Sequence, residues 1–203
     1  MEILENIFKD VSNISNNKII KGKKTEAIKH FFAISSDIPQ LSYVEKLFLY
    51  TFILSIPDRK CLEIGSAEGG SARIISSALS IAGGELTCID PVSNRLSIPI
   101  WEEIKHNTTF IKGTSPESLD GLGKFDFVFV DGDHTENGVY SDAIGLLPHL
   151  NSNAYILFHD FALDSVKKAI VRALEEVKGY TDCGYICHET TSIKGFKLLR
   201  FTD

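Results

Sequence analysis

Two short polar blocks hold the residues best suited to chemistry: Asp131-Gly132-Asp133-His134 and, after the next apolar run, His159-Asp160. Each follows a stretch of strand character, at 125–130 and at about 153–158. In an open parallel sheet, ligands collect outside the carboxyl ends of the strands. Adjacent strands lie about 4.8 Å apart, so if these two are neighbours, Asp131 and Asp160 meet at the mouth of one crevice. Two close carboxylates repel unless a cation or proton lies between them. A divalent cation would satisfy them: Mg²⁺ by preference for an oxygen set, or manganese, iron or zinc if His159 joins as a nitrogen ligand. Asp131, His159 and Asp160 are therefore the candidate metal ligands. His134 is the candidate general base, because an imidazole with an unperturbed pKa of about 6.5 suits proton removal from a hydroxyl near neutral pH. His30, His106, His149 and His188 lack such surroundings and read as structural or surface residues.

A second constellation can hold a cofactor. Cys61-Leu62-Glu63-Ile64-Gly65-Ser66-Ala67-Glu68-Gly69-Gly70-Ser71 reads as a short strand, a glycine-rich turn and the start of a helix, with Ser71 placed to cap that helix. Glycine permits unusual φ values and lets a ligand approach the backbone closely. The G-x-x-x-G-G spacing of Gly65, Gly69 and Gly70 differs from the G-x-G-x-x-G of dinucleotide-binding dehydrogenases. Asp90 ends the next strand, about 25 residues after Gly65. At such a distance an acid hydrogen-bonds ribose hydroxyls in doubly wound folds; the alternative role is a turn cap ahead of Pro91. Thr114 and Ser115 follow a third strand and can meet an adenine edge or cap the short helix behind them.

These residues need elements to position them. Strands are expected at about 60–64, 85–90, 108–112, 125–130 and 153–158, with helices at about 70–81, 95–105, 115–120, 136–147 and 163–177. Such alternation predicts a parallel sheet covered on both faces. The tail reads as two strands, 179–187 and 195–201, forming a hairpin. Residues 1–58 carry helical patterns only: Ile3, Leu4, Ile7, Phe8 and Val11 at helical spacing, a helix at 25–34, and one from Ser42, with Glu45 completing a capping box, to about Ile56 before Pro57. The expected organisation is an N-terminal helical extension (1–58), a lid or a homodimer interface, followed by a cofactor-binding domain (59–203).

The chain has 203 residues, 43% apolar and 24% charged, with a net charge of −6. That size suits one sizeable α/β domain. The acidic balance argues against a nucleic-acid partner, and the mild lysine cluster at 18–24 reads as a solvated loop. The apolar run 47–54 is too short to span a bilayer, which takes roughly 20 residues, so no membrane partner is expected. Without a signal peptide pattern, the 4 cysteines read as reduced thiols in a cytoplasmic protein.

Taken together, Leu62-Glu63-Ile64-Gly65-x-x-x-Gly69-Gly70-Ser71, Ile89-Asp90, Gly113-Thr114-Ser115 and Val130-Asp131-Gly132-Asp133-His134 resemble the class I S-adenosylmethionine (SAM)-dependent methyltransferases over about residues 42–201. The Val-Asp-Gly-Asp-His block followed by His-Asp is most similar to a small-molecule O-methyltransferase branch that includes sugar O-methyltransferases. The resemblance implies a doubly wound, mostly parallel seven-stranded Rossmann-like sheet ending in an antiparallel hairpin. It implies that Glu63, Gly65, Ser66, Gly69, Gly70 and Ser71 hold the methionine and ribose parts of SAM. Asp90 would take the ribose hydroxyls, Thr114 and Ser115 would lie near the adenine, and Asp131 would border the cofactor. It further implies a divalent metal at Asp131 and the His159-Asp160 pair, a catalytic His134 and a small-molecule acceptor. Metal-dependent members usually have two oxygen ligands at that pair, so His159 is a departure. The rival readings are a cofactor-binding module without catalysis and a nicotinamide-dependent oxidoreductase.

Overall fold

The structure, a computed structural model, describes residues 24–34, 40–92, 98–187 and 195–202. The helical pattern at 3–11, the lysines at 18–23 and His188 lie outside the described residues. Two N-terminal helices, α1 (Lys24–Ile34) and α2 (Tyr43–Ser55), precede an alternating run: β1 (Lys60–Ile64), α3 (Gly70–Ala82), β2 (Glu85–Asp90), α4 (Ile98–Ile104), β3 (Thr108–Lys112), β4 (Phe125–Val130), α5 (Glu136–Gly145), β5 (Leu150–Phe158), α6 (Asp164–Glu176), β6 (Tyr180–Ile186) and β7 (Phe196–Phe201).

The strands form one sheet in the order β3-β2-β1-β4-β5-β7-β6. β1 to β5 run parallel, and β7 pairs antiparallel with both β5 and β6. This is the expected mostly parallel, doubly wound sheet with an antiparallel end. Alternation along β4 divides the core. Phe127 and Phe129 face α2 and α3, packing with Leu49, Ile53, Ile74 and Ile75. Val128 and Val130 face α5 and α6, packing with Val139, Ala143, Ala169 and Ile170. Burial on both faces explains why β4 is apolar at nearly every position. Because α2 belongs to the first of these clusters, it packs into the same core as the sheet.

The expected boundaries hold with instructive exceptions. The helix expected at 115–120 is one 3₁₀ turn, Glu117–Leu119. α5 gives way to a 3₁₀ turn at Leu147–His149, since Pro148 disfavours the α conformation at the residue before it. β5 starts at Leu150 rather than 153, its polar first turn held by Asn151 donating to Asp126 Oδ1 at 2.6 Å. Ser71 does not cap α3: the N-cap is Gly69, at φ +90 and without a side-chain cap. Ser71 lies inside the first turn and donates its hydroxyl to Glu63 Oε1 instead.

Register positions the site. Ile64 pairs with Val130 and Val130 with Phe158, so Gly65, Asp131 and His159 leave the sheet side by side, while Ile64 opposite Ile89 places Asp90 beside Gly65.

Candidate active site

A cleft of about 790 Å³ opens along these strand ends. Of the sequence-derived site residues, Gly65, Ser66, Gly70, Ser71, Asp90, Thr114, Ser115, Asp131, His134, His159 and Asp160 line it. Glu63 and Gly69 do not. Glu63 is fully buried below the glycine turn, accepting hydrogen bonds from Ser71 Oγ and from Cys88 Sγ at 3.2 Å, and burial pushes its carboxyl up to about 7. It braces the first turn of α3 against β1 and β2.

The turn crosses the next strand at contact distance. Gly65 has φ +86, and a Cβ there would lie 2.2 Å from the Asp131 carbonyl oxygen. No other residue fits that crossing without displacing it. Asp90 accepts the Ala67 N–H at 2.9 Å and the Val92 N–H at 2.7 Å, so its carboxylate is fixed on both sides of the turn while it still borders the cleft. Two buried hydroxyl oxygens in the cleft wall, Ser66 Oγ and Ser115 Oγ, make no hydrogen bond within the described protein. Thr114 points outward to Glu117 Oε2 at 3.0 Å.

The acid–imidazole cluster occupies the other side of the cleft. Asp131 Oδ1 lies 3.2 Å from His134 Nε2 and 3.2 Å from His159 Nδ1. Asp160 Oδ2 lies 3.3 Å from His134 Nε2. His159 is almost fully buried, and its second nitrogen, Nε2, meets Glu45 Oε1 at 3.2 Å. Both ring nitrogens thus face carboxylates, an arrangement that favours the imidazolium, with a proton on each. Burial opposes that charge, but the bonds to Asp131 and Glu45 outweigh it and lift His159 to about 10. Asp131 is the converse: burial opposes its anion, and the two imidazoles hold its pKa below the usual range. Asp160 is raised, chiefly by burial. His134, only partly buried, is raised, first by its bond to Asp131.

Among the described residues, the three groups whose ligand atoms converge within 4.8 Å are Asp131, His134 and Asp160. His159 adjoins that group, with both nitrogens engaged. Glu45 is a site residue that sequence reasoning missed. One carboxylate oxygen completes the capping box, accepting the Ser42 N–H at 2.7 Å. The other reaches His159 and accepts the Gly195 N–H at 2.8 Å. The capping motif accounted for the first oxygen only.

A family model described as a methyltransferase domain matches residues 62–161. That stretch is a methyltransferase domain. Its boundaries enclose the glycine turn, Asp90, Asp131, His134, His159 and Asp160. Solved methyltransferase structures share the architecture. A putative O-methyltransferase from Klebsiella pneumoniae superposes with a TM-score of 0.67 at 16% identity, over 88% of this chain and 89% of that one. An O-methyltransferase from Bacillus cereus in complex with SAH gives 0.68 at 16% identity, over 95% and 96%. An O-methyltransferase from Streptomyces achromogenes involved in tomaymycin synthesis, in complex with SAM, gives 0.67 at 20% identity, over 88% and 89%. No curated protein matches the sequence significantly. At these identities the structural likeness is one of fold: the class I methyltransferase sheet with its reversed last strand. Glu45 lies outside the matched methyltransferase domain, although its carboxylate ends inside the domain's polar cluster. Among the described residues no helix is long and apolar enough to cross a membrane.

Proposed function

We propose that the chain is a SAM-dependent O-methyltransferase acting on a small hydroxyl-bearing metabolite, with sugars as one acceptor class. The observation that carries this reading is the union, in one cleft, of a ligand-hugging glycine turn and an imidazole–carboxylate cluster. The cleft suits the cofactor: its volume is that of a small-molecule site, the Gly65 cradle admits a ligand close to the backbone, and the orphaned hydroxyls of Ser66 and Ser115 await polar partners. SAM, when bound, supplies an electrophilic methyl group on a sulfonium.

In this reading the chain binds the cofactor along Gly65–Ser71 and Asp90, and His134 removes the acceptor proton. His134 Nε2–H stays directed at Asp131 and Asp160, which leaves Nδ1 as the basic atom and holds the imidazolium formed after proton removal. The same division of labour operates in carboxylate–histidine dyads. Orientation of the acceptor oxygen supplies much of the rate. His159, with Glu45 behind it, balances the charge of the acid pair from below.

A divalent ion is the second reading, favoured by the convergence of Asp131, His134 and Asp160. A set of two carboxylates and one imidazole fits manganese, iron or zinc better than Mg²⁺. With both nitrogens committed to carboxylates, His159 has no lone pair to offer. An ion there would make His134 a ligand instead of a base. The N-terminal helices present Phe32, Tyr43, Val44 and Leu47 outward and serve as a lid or a homodimer surface. The test is titration calorimetry with SAM, followed by methyl transfer to a panel of hydroxyl acceptors with EDTA or with added Mn²⁺. Absence of SAM binding at millimolar concentration would refute the function. Transfer that survives EDTA selects the His134 base.

A further inference from the structure

Six carboxylates line the cleft, those of Glu68, Asp90, Asp131, Asp133, Asp142 and Asp160, and among the described lining residues there is no lysine or arginine. The positive charge available to them there comes from the imidazoles of His134 and His159. His159 is shared three ways: Nε2 lies 3.2 Å from Glu45 Oε1, and Nδ1 lies 3.2 Å from Asp131 Oδ1 and 3.5 Å from Asp160 Oδ1. One imidazolium cannot neutralise three carboxylates, so the Asp131–Asp160 pair keeps a surplus of negative charge. The backbone holds that pair together against its own repulsion. Asp160 adopts φ +52, a left-handed conformation uncommon for a residue with a side chain. A separate observation shows that the cleft awaits a polar ligand. Ser66 borders it at 2% exposure, and its hydroxyl makes no hydrogen bond within the described protein. A buried hydroxyl left so is costly unless a ligand supplies the partner.

SAM carries a positive charge on sulfur that its product lacks. In methyl transfer the acceptor oxygen bonds to the methyl carbon, the electron pair of the S–CH3 bond stays on sulfur, and the acceptor proton goes to His134. Positive charge therefore leaves the sulfur and arrives on the imidazole whose Nε2 lies 3.2 Å from Asp131 and 3.3 Å from Asp160. Carboxylates that drew the sulfonium are then satisfied by the protein's own cation, and S-adenosylhomocysteine (SAH) is left with a neutral sulfur.

We propose that Asp131 and Asp160 make the cleft selective for positive charge at the cofactor's sulfur, so that SAM is held more tightly than SAH and the product is released by loss of that charge. The assignment rests on the SAM reading above. A unit charge facing even one uncompensated carboxylate in a partly buried site is worth a factor of about ten or more in affinity.

Calorimetry with SAM, SAH and sinefungin, which carries an amine in place of the methyl-bearing sulfur, tests it at pH 7.5 with EDTA to keep divalent ions from the acids. The wild type should bind SAM and sinefungin about tenfold or more tighter than SAH. That preference should shrink as salt rises from about 0.05 M to about 0.5 M. Asp160→Asn, which keeps the shape and tolerates the left-handed backbone, should cut the preference several-fold by weakening SAM and sinefungin alone, with folding checked by thermal melts. A wild type that binds SAH as tightly as SAM overturns the proposal without any variant having to fold, and leaves the cofactor reading standing. Sinefungin that binds only as well as SAH, or a preference unmoved by both salt and Asp160→Asn, overturns it too, since contact with the methyl group would then be the cause. A wild type that binds none of the three overturns both.

Discussion

Replacing Glu45 with Ala removes one side chain and strands three partners: the Ser42 N–H, the Gly195 N–H and the His159 imidazole. The side chains of Glu45 and His159 are 0% and 4% exposed, so water cannot replace the lost carboxylate without opening the core. Removing one member of a buried pair costs about 3–5 kcal/mol. In a chain of this size each kcal/mol shifts the melting temperature by about 2–4 °C, so a fall on the order of 10 °C is expected. The pH dependence carries a sign. His159 is raised above the ordinary histidine value, to about 10, so its contribution is fully present below about pH 6.5 and is lost as pH rises through the folded value. Urea unfolding of wild type and Glu45→Ala at pH 7 and pH 9.5 measures both effects. The stability gap should be several kcal/mol at pH 7 and narrower at pH 9.5. Glu45→Gln, which keeps an acceptor for the cap but not the charge, should fall between them. A gap below about 1 kcal/mol at pH 7, or one that widens with pH, would refute the buried-pair account.

Three further outcomes are expected. His134→Ala should leave SAM affinity within about twofold while lowering methyl transfer by about 10²–10⁴, read as kcat against the calorimetric Kd. Because the bond to Asp131 raises the pKa of His134 and a base must start neutral, the wild-type rate should climb with pH to a plateau set by a value above the usual 6.5, whereas a plateau reached below that value would contradict the assignment. Gly65→Ala, with its Cβ 2.2 Å from the Asp131 carbonyl at φ +86, should lose about 1–3 kcal/mol of stability and bind SAH at least about tenfold more weakly by calorimetry.

Much of this was legible in the chain because the parallel strands declare themselves. Buried on both faces, β4 reads as a nearly continuous apolar run, and the polar residues that follow it fall at the sheet's carboxyl edge. The tail hairpin and the Ser42–Glu45 box were equally local signals. The residues that escaped act over long separations. Glu45 and His159 are 114 positions apart, and periodicity carries no trace of such a meeting. Ser71 was placed as a cap because it stands near a helix start, yet Gly69 already provides the left-handed residue there, and the hydroxyl is drawn to the buried Glu63. Asp142 reads as one more polar residue on a helix, and only the packing of α5 against the Ser115 turn reveals that it faces the cleft.

The Glu45 carboxylate also bears on how the chain can be divided. A boundary between the N-terminal helices and the methyltransferase domain is easily drawn on paper near residue 58, and the family match begins only at residue 62. Cutting there would leave the buried Nε2 of His159 without its carboxylate, with Asp131 alone on the Nδ1 side, and would leave the Gly195 N–H before β7 without its acceptor. Glu45 thus ties the helical half to the polar cluster at this point, and a shortened chain starting at β1 would keep a buried imidazole nitrogen with no acceptor for its proton.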